Sequence, residues 1–326
     1  MPTTAVIGCA GYTGQELLDR VLAHPELELV ALGSDSLAGK SAAALDPRLA
    51  AADLPAFADN GTALAADAEL VFLCLGHEES AAVEPPADAV VVDLSGAHRL
   101  REPALYADWY GFEHPGGLDG WHYALPELWP PNGRLIANPG CYATAALLAL
   151  APLAGAVDPA SVVVDAKSGV SGAGRTPKAA SHAGFVLENL SAYRVGSHQH
   201  APEIAQALGF PVTFVPHLLP IKRGLLATCY VDANPSADVH ALLADAYASS
   251  PAVRLLDEGV APELARVQGT DAAELAVFED RSTGRTIVVC AIDNLGKGAA
   301  GQAMQNANLA LGLREELGLR LQGVPV

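Results

Sequence analysis

Wholly apolar runs, glycine-rich turns and one-sided apolar patterns alternate through the first part of the chain. Residues 5–8 are a short apolar run that predicts a strand. The run enters Gly8-Cys9-Ala10-Gly11-Tyr12-Thr13-Gly14, after which Leu17, Leu18, Val21 and Leu22 recur on one helical face until His24-Pro25. Residues 27–32 predict a second strand, 69–76 another around Val71-Phe72-Leu73-Cys74-Leu75, and 90–94 another. Continuous apolar runs of this kind suit a parallel sheet covered on both faces. A strand, a glycine turn, a helix and a second strand form the layout that sets a pyrophosphate on a helix N-terminus. The spacing here is GxxGxxG rather than GxGxxG, and a bare glycine match often marks only a tight turn.

Residues 102–131 carry Tyr106, Trp109, Tyr110, Phe112, Trp121, Tyr123 and Trp129 among prolines and glycines, and read as irregular structure packed over the sheet. A strand at 134–137 then leads into Ala137-Asn138-Pro139-Gly140-Cys141-Tyr142-Ala143-Thr144 and an apolar run to Leu150. Asn138 is expected as helix N-cap and Pro139 as first helical residue. Beyond this helix the pattern changes. Strands are expected at 161–165, 212–215, 225–232, 253–256, 274–279 and 285–292, with helices near 202–208 and 239–248. Strands now outnumber helices, which predicts a second domain with a mixed or antiparallel sheet. A small-residue helix through Ala299, Ala300, Ala303, Met304 and Ala307 is expected over 298–320.

Composition narrows the partners. The chain has 326 residues, 51% of them hydrophobic, so one large or two medium domains can bury sizeable cores. A formal charge of −18 argues against nucleic acid and anionic membrane surfaces. An anionic substrate would then need a local basic pocket. The five cysteines, Cys9, Cys74, Cys141, Cys229 and Cys290, are an odd number without a CxxC pair, which fits a reducing compartment better than a disulfide framework or zinc site. The opening Met1-Pro2-Thr3-Thr4 has no signal-type pattern, and no run reaches the roughly 18 apolar residues of a membrane span. The expectation is a soluble cytoplasmic protein.

Cys141 falls in the first turn of its helix, where unpaired N–H groups and the helix dipole favour an anion. That placement lowers a thiol pKa and makes a thiolate nucleophile; the plainer reading is a buried cysteine acting as a small hydrophobe. Ser197-His198-Gln199-His200-Ala201-Pro202-Glu203 sets two histidines before a helix expected to begin at Pro202, with Glu203 close enough to orient one imidazole. An HxH pair also raises a metal site, but no further ligand has convincing spacing, so no metal is expected. Lys167-Ser168-Gly169-Val170-Ser171-Gly172-Ala173-Gly174-Arg175, followed by Lys178, is either an anion cradle or a plain surface loop. Lys222-Arg223 is either an anion clamp or a solvated pair. At the end of the second strand, Asp35 suits a ribose 2′-hydroxyl and hence NAD, while Ser34, Ser36 and Lys40 suit a 2′-phosphate and hence NADP. The loops after the next strands, with Gly76, His77, Ser95 and His98, sit where ligands of such sheets bind.

Taken together, these segments resemble the N-acetyl-γ-glutamyl-phosphate reductase family in its longer form, within the aspartate-semialdehyde dehydrogenase superfamily. The matching pieces are the opening glycine turn, Val92-Asp93-Leu94-Ser95, Tyr123-Ala124-Leu125-Pro126-Glu127, Asn138-Pro139-Gly140-Cys141-Tyr142, the Lys167 to Arg175 loop, His198-Gln199-His200-Ala201-Pro202-Glu203-Ile204, Pro216-His217-Leu218-Leu219-Pro220 and Asp293-Asn294-Leu295-Gly296-Lys297-Gly298-Ala299-Ala300-Gly301-Gln302. They run in the family's order over nearly the whole chain.

The resemblance implies an α/β protein: a Rossmann-type parallel-sheet domain over 1–140, completed by a C-terminal helix in 298–326, and an α+β domain with a mixed or antiparallel sheet over 141–297 for catalysis and oligomerisation. It implies NADPH as cofactor and a homo-oligomer, dimer or tetramer, serving arginine biosynthesis. Cys141 carries over as nucleophile and His200 as acid/base, with His198, Glu203 and Asn138 supporting. The coenzyme set is Gly8, Gly11, Tyr12, Thr13, Gly14, Ser34, Ser36, Lys40, Gly76, Ser95, Ser171, Gly172 and Asn294. Lys167, Ser168, Arg175 and Arg223 are the substrate set. One departure is Asp35, where the family often has a basic residue. A reductase of carrier-bound aminoadipyl phosphate in lysine synthesis and a dinucleotide-binding sensor without hydride transfer are the rival readings. A cysteine hydrolase would have no use for the glycine-rich opening.

Overall fold

The computed structural model describes residues 1–176 and 182–323, so Lys178 lies outside the described residues. The chain divides into two compact units, one of Met1–Pro139 with Ala299–Leu319, the other of Gly140–Gly298 with Arg320 and the described residues after it.

The first unit is built on seven strands: β1 (Thr3–Ile7), β2 (Glu28–Gly33), β3 (Phe57–Ala58), β4 (Leu70–Leu73), β5 (Val90–Asp93), β6 (Trp121–Tyr123) and β7 (Leu135–Ala137). Their order is β3-β2-β1-β4-β5-β7-β6 and every pairing is parallel. Successive side chains of a strand point to opposite faces, and both faces here are dry. Val6, Leu70, Phe72 and Val92 join one core, while Ala5, Ile7, Val71, Leu73 and Val91 join another. That double burial is why these strands read as unbroken apolar runs. Helix α1 (Tyr12–Ala23) puts Leu17, Leu18 and Val21 into the first core, and α2 (Asn60–Leu64) puts Ala63 into the second. Two more short helices, α3 (His77–Ala81) and α4 (Leu105–Tyr110), follow β4 and β5. The aromatic stretch expected to be irregular thus contributes a helix and edge strand β6.

In the second unit α5 (Cys141–Leu150) lies against a mixed sheet of order β12-β13-β14-β11-β8-β10-β9. The strands are β8 (Val163–Gly169), β9 (Ser191–Ala192), β10 (Thr213–Leu219), β11 (Leu225–Val231), β12 (Val253–Leu255), β13 (Ala273–Glu279) and β14 (Thr286–Ile292). Pairings β8–β10 and β12–β13 are parallel and the rest antiparallel. Strand β11 shows the alternation of a half-covered sheet: Leu225, Ala227, Cys229 and Val231 are buried, the residues between them half-buried. Helices α6 (Ala183–Val186), α7 (His200–Leu208), α8 (Val239–Tyr247) and α9 (Leu264–Val267) complete this unit.

Three further expectations are corrected. The helix expected over 298–320 is shorter, and the last residues of its extension to 326 lie outside the described residues: a wide turn at Gly296–Ala300 leads into α10 (Gly301–Ala310). Gly312 takes φ +70, and Asn308 Nδ2 donates to the carbonyls of Glu315 and Leu317, folding the chain back. Helix α7 begins at His200, not at Pro202, because the N–H of His200 is already capped by a side chain, as described below. The cysteine helix begins at Cys141 with Gly140 as N-cap and no side-chain cap. Asn138 is therefore not its cap. Fully buried in the first unit, Asn138 has an Oδ1 that accepts from Asn306 Nδ2 (3.0 Å) and Gln302 Nε2 (3.4 Å) of α10.

Candidate active site and dinucleotide turn

The second unit assembles its candidate chemistry at the start of α5. Cys141 is the first helical residue and is only partly buried. An uncapped first turn leaves backbone donors to meet an anion. Glycine at 298 lets the chain close over this point, for a Cβ there would stand 2.7 Å from that of Cys141. The other cysteines differ: burial pushes the thiols of Cys9 and Cys229 up to about 12 and raises those of Cys74 and Cys290.

Helix α7 packs on α5 and supplies the neighbours. Glu203 is fully buried, and its Oε1 accepts the N–H of Gly140 at 2.8 Å. Its other oxygen lies 3.9 Å from His200 Nε2. One carboxylate thus fixes the residue before the cysteine and faces the imidazole. The two histidines separate cleanly. Nδ1 of His198 accepts the N–H of His200 at 3.1 Å, capping α7 and fixing the tautomer with hydrogen on Nε2. Its ring is boxed edge-on by Tyr142, Tyr193 and Phe214. Burial, then the nearby charge of His200, pushes His198 down to about 2, so it stays neutral.

Sequence reading missed Tyr193, whose hydroxyl donates to that of Tyr142 at 3.2 Å; Tyr142 in turn donates to the carbonyl of His217 at 3.1 Å. No local pattern marks Tyr193, since its role depends on β9 folding back onto β10. Ser171, Gly172 and Asn294, expected among the coenzyme contacts, cluster in this unit. Asn294 Nδ2 donates to Ser171 Oγ at 2.9 Å, and Asn294 Oδ1 accepts the N–H of Gly224 at 2.8 Å. A Cβ on Gly172 would lie 3.3 Å from Ser168 Oγ, which places Ser168 with them. Arg223 is held through Nε by the buried Asp293 at 2.5 Å. Arg175 is exposed. Lys167 does not join this group. Alternation along β8 turns it to the other face, with its Nζ 3.0 Å from Asp165 Oδ1, beside His217.

The first unit carries the glycine turn. Gly8 takes φ +76, and a Cβ there would stand 2.5 Å from the Cys74 carbonyl oxygen. A Cβ on Gly14 would stand 2.7 Å from Cys9 Cα, so glycine lets α1 settle on the turn. Gly11 is the N-cap of α1, again without a side-chain cap, and a Cβ there would meet nothing nearer than 3.8 Å. That open, uncapped helix start is the cradle a phosphate needs. Tyr12 and Thr13 open the helix beside it, Tyr12 partly exposed. Gly76 is the uncapped N-cap of α3 at the end of β4, a second such start. The hydroxyls of Ser34 and Ser36 lie 3.3 Å apart, with Lys40 exposed in the same loop. The residues present therefore fit a dinucleotide. Ser95 is spent differently: buried, it donates to Asp93 Oδ2 at 2.8 Å and accepts from the N–H of Ala97 at 3.0 Å. Burial raises the Asp93 carboxyl, but His98 at 2.6 Å and the Ser95 donors outweigh it and hold it below its ordinary range. His98 stacks on Trp121 at 3.7 Å, a packing role. Among the described residues, no group of three or more His, Cys, Asp and Glu is placed to hold a metal ion, and no helix is long and apolar enough to cross a membrane.

Comparison with known proteins matches residues 3–134 to the family model "Semialdehyde dehydrogenase, NAD binding domain" and residues 141–294 to "Semialdehyde dehydrogenase, dimerisation domain". The chain is 49% identical to N-acetyl-gamma-glutamyl-phosphate reductase of Salinispora arenicola over 330 residues, 98% of each protein. It is 39% identical to the probable chloroplastic enzyme of that name from Arabidopsis thaliana, covering 96% of this chain and 83% of that protein. Among solved structures, aspartate semialdehyde dehydrogenase II of Vibrio cholerae superposes with a TM-score of 0.73 at 19% identity, covering 96% of this chain and 98% of that one. The enzyme of Candida albicans, solved with NADP, gives 0.61 at 16% identity over 96% and 99%.

Proposed function

The chain belongs to the N-acetyl-gamma-glutamyl-phosphate reductase family, and on that premise we propose that it reduces N-acetyl-L-glutamyl 5-phosphate to the 5-semialdehyde, releasing phosphate, with NADPH as reductant. The observation that carries the reading is a half-buried cysteine at a glycine-capped helix start, where a buried glutamate of α7 holds the N–H of the residue before it and faces a histidine of the same helix.

The Cys141 thiolate attacks the acyl-phosphate carbon; a C–S bond forms, the C–O bond to phosphate breaks, and phosphate leaves with the bonding pair. Backbone donors of the uncapped first turn steady the oxyanion. The N–H of Gly140 is not among them, because Glu203 holds it. Reduced nicotinamide, when bound, supplies hydride to the reaction. As the aldehyde forms, the C–S bond breaks and His200 returns a proton to sulfur. Arg223, steered by Asp293, and Arg175 are assigned to the substrate's anionic groups, with Ser168 beside them. Gly8, Gly11, Tyr12, Thr13, Gly14, Ser34, Ser36, Lys40, Gly76, Ser171, Gly172 and Asn294 are assigned to the coenzyme. Residues 1–140 with α10 form the coenzyme domain and 141–297 the catalytic and oligomerisation domain. A homo-oligomer, dimer or tetramer, is assigned to the face of the second sheet where Asp165, Lys167, His217, Thr228 and Tyr230 stay half-buried. Five free cysteines suit a reducing cytoplasm.

Phosphate-dependent oxidation of N-acetylglutamate semialdehyde, run with NADP and with NAD, tests the reading. Turnover with preference for NADP is expected. No phosphate-dependent turnover would overturn the substrate, and preference for NAD would overturn the coenzyme.

A further inference from the structure

Asp35 is exposed, but both of its carboxylate oxygens are engaged. Its Oδ1 accepts the backbone N–H of Asn60 at 2.8 Å and its Oδ2 accepts from Asn60 Nδ2 at 3.1 Å. The second hydrogen of that amide goes to Glu79 Oε1 at 3.2 Å. Both N–H donors of the Asn60 side chain are therefore on carboxylates, and its Oδ1 is turned to the one donor opposite, the N–H of Gly8 at 3.2 Å. A flipped amide would set its oxygen against two carboxylates and its NH₂ against an N–H, so the orientation is fixed by charge. The oxygen has room because residue 33 is glycine; a Cβ there would stand 3.0 Å from it. Gly8 is the first residue of the glycine turn, in a conformation few residues adopt.

We propose that Asp35 is a positioning residue, which orients the Asn60 amide and through it holds Gly8 and the glycine turn, rather than a reader of the adenosine ribose. Choice between the coenzymes then falls to Ser34, Ser36 and Lys40. The inference rests on the reading of this turn as the dinucleotide site.

Asp35→Ala, Asn60→Ala and the double variant test it. Two quantities are measured: amide hydrogen exchange at Gly8 in coenzyme-free protein, and dissociation constants for NADPH and NADH by fluorescence titration. Each single variant is expected to speed exchange at Gly8 and to weaken both coenzymes by about tenfold, the scale of one charge-assisted hydrogen bond. The NADPH-to-NADH ratio stays within about twofold of wild type, and the double variant is no worse than either single, because both cut one chain of bonds. Asp35→Ala that weakens NADH, tightens NADPH and leaves Gly8 exchange unchanged would overturn the proposal alone. Wild-type protein that binds neither nucleotide would overturn the coenzyme reading and take the proposal with it.

Discussion

Two helices of this protein start the same way and do different things. Both α1 and α5 have a glycine as N-cap and so no side-chain cap from that residue. At α1 the first helical residue is the exposed Tyr12 and the space at Gly11 is open, a start that suits an anion and carries no nucleophile. At α5 the first residue is Cys141; a buried glutamate holds the N–H of the residue before it and faces a histidine. The backbone device is shared; one side chain at the tip, and the groups near it, distinguish the proposed reacting site from the proposed binding site.

The sharpest break in this comparison is Cys141→Ala. It should cut reductase turnover by about 10⁴–10⁶-fold, the scale on which a lost nucleophile acts, while NADPH binding measured by fluorescence stays as in wild type. His200→Asn should lower kcat by about 10²–10⁴-fold; an unchanged rate and pH profile would remove His200 from the proton path. At the other helix start, Gly14→Ala forces a methyl to within 2.7 Å of backbone at Cys9. Overpacking of about 1–3 kcal/mol should weaken NADPH by about ten- to a hundredfold. Gly11→Ala, with open space around it, should leave the melting temperature alone, so any loss of affinity reads the room over the helix tip.

The smallest effect concerns His198. Its value in the fold, about 2, lies below its ordinary 6.5, so the unfolded chain binds the extra proton. The stability it lends is whole above about pH 6.5 and is lost as pH falls toward its folded value. Urea unfolding at about pH 7 and about pH 5 should show wild type losing more stability than His198→Asn, whose amide oxygen can still cap α7, by up to about 1.4 kcal/mol per pH unit. Equal losses would mean that His198 is not held neutral.

Much of this was legible in the sequence because buried parallel strands write unbroken apolar runs and because glycine is needed where a Cβ collides. What stayed hidden depends on long-range partners. Asn138 has every local mark of a helix cap, yet α10, some 160 residues later in the chain, claims its side chain. Lys167 sits in the right loop by sequence, but alternation along β8 faces it to Asp165. Asp35 reads locally as a ribose acceptor, and only the fold shows Asn60 occupying it.

The most direct test of the central claim mixes enzyme with the acyl phosphate and no coenzyme. One phosphate released per active site, together with one acyl group on the peptide bearing Cys141, is the predicted result. Absence of that burst, or an acyl group found on another residue, would contradict it.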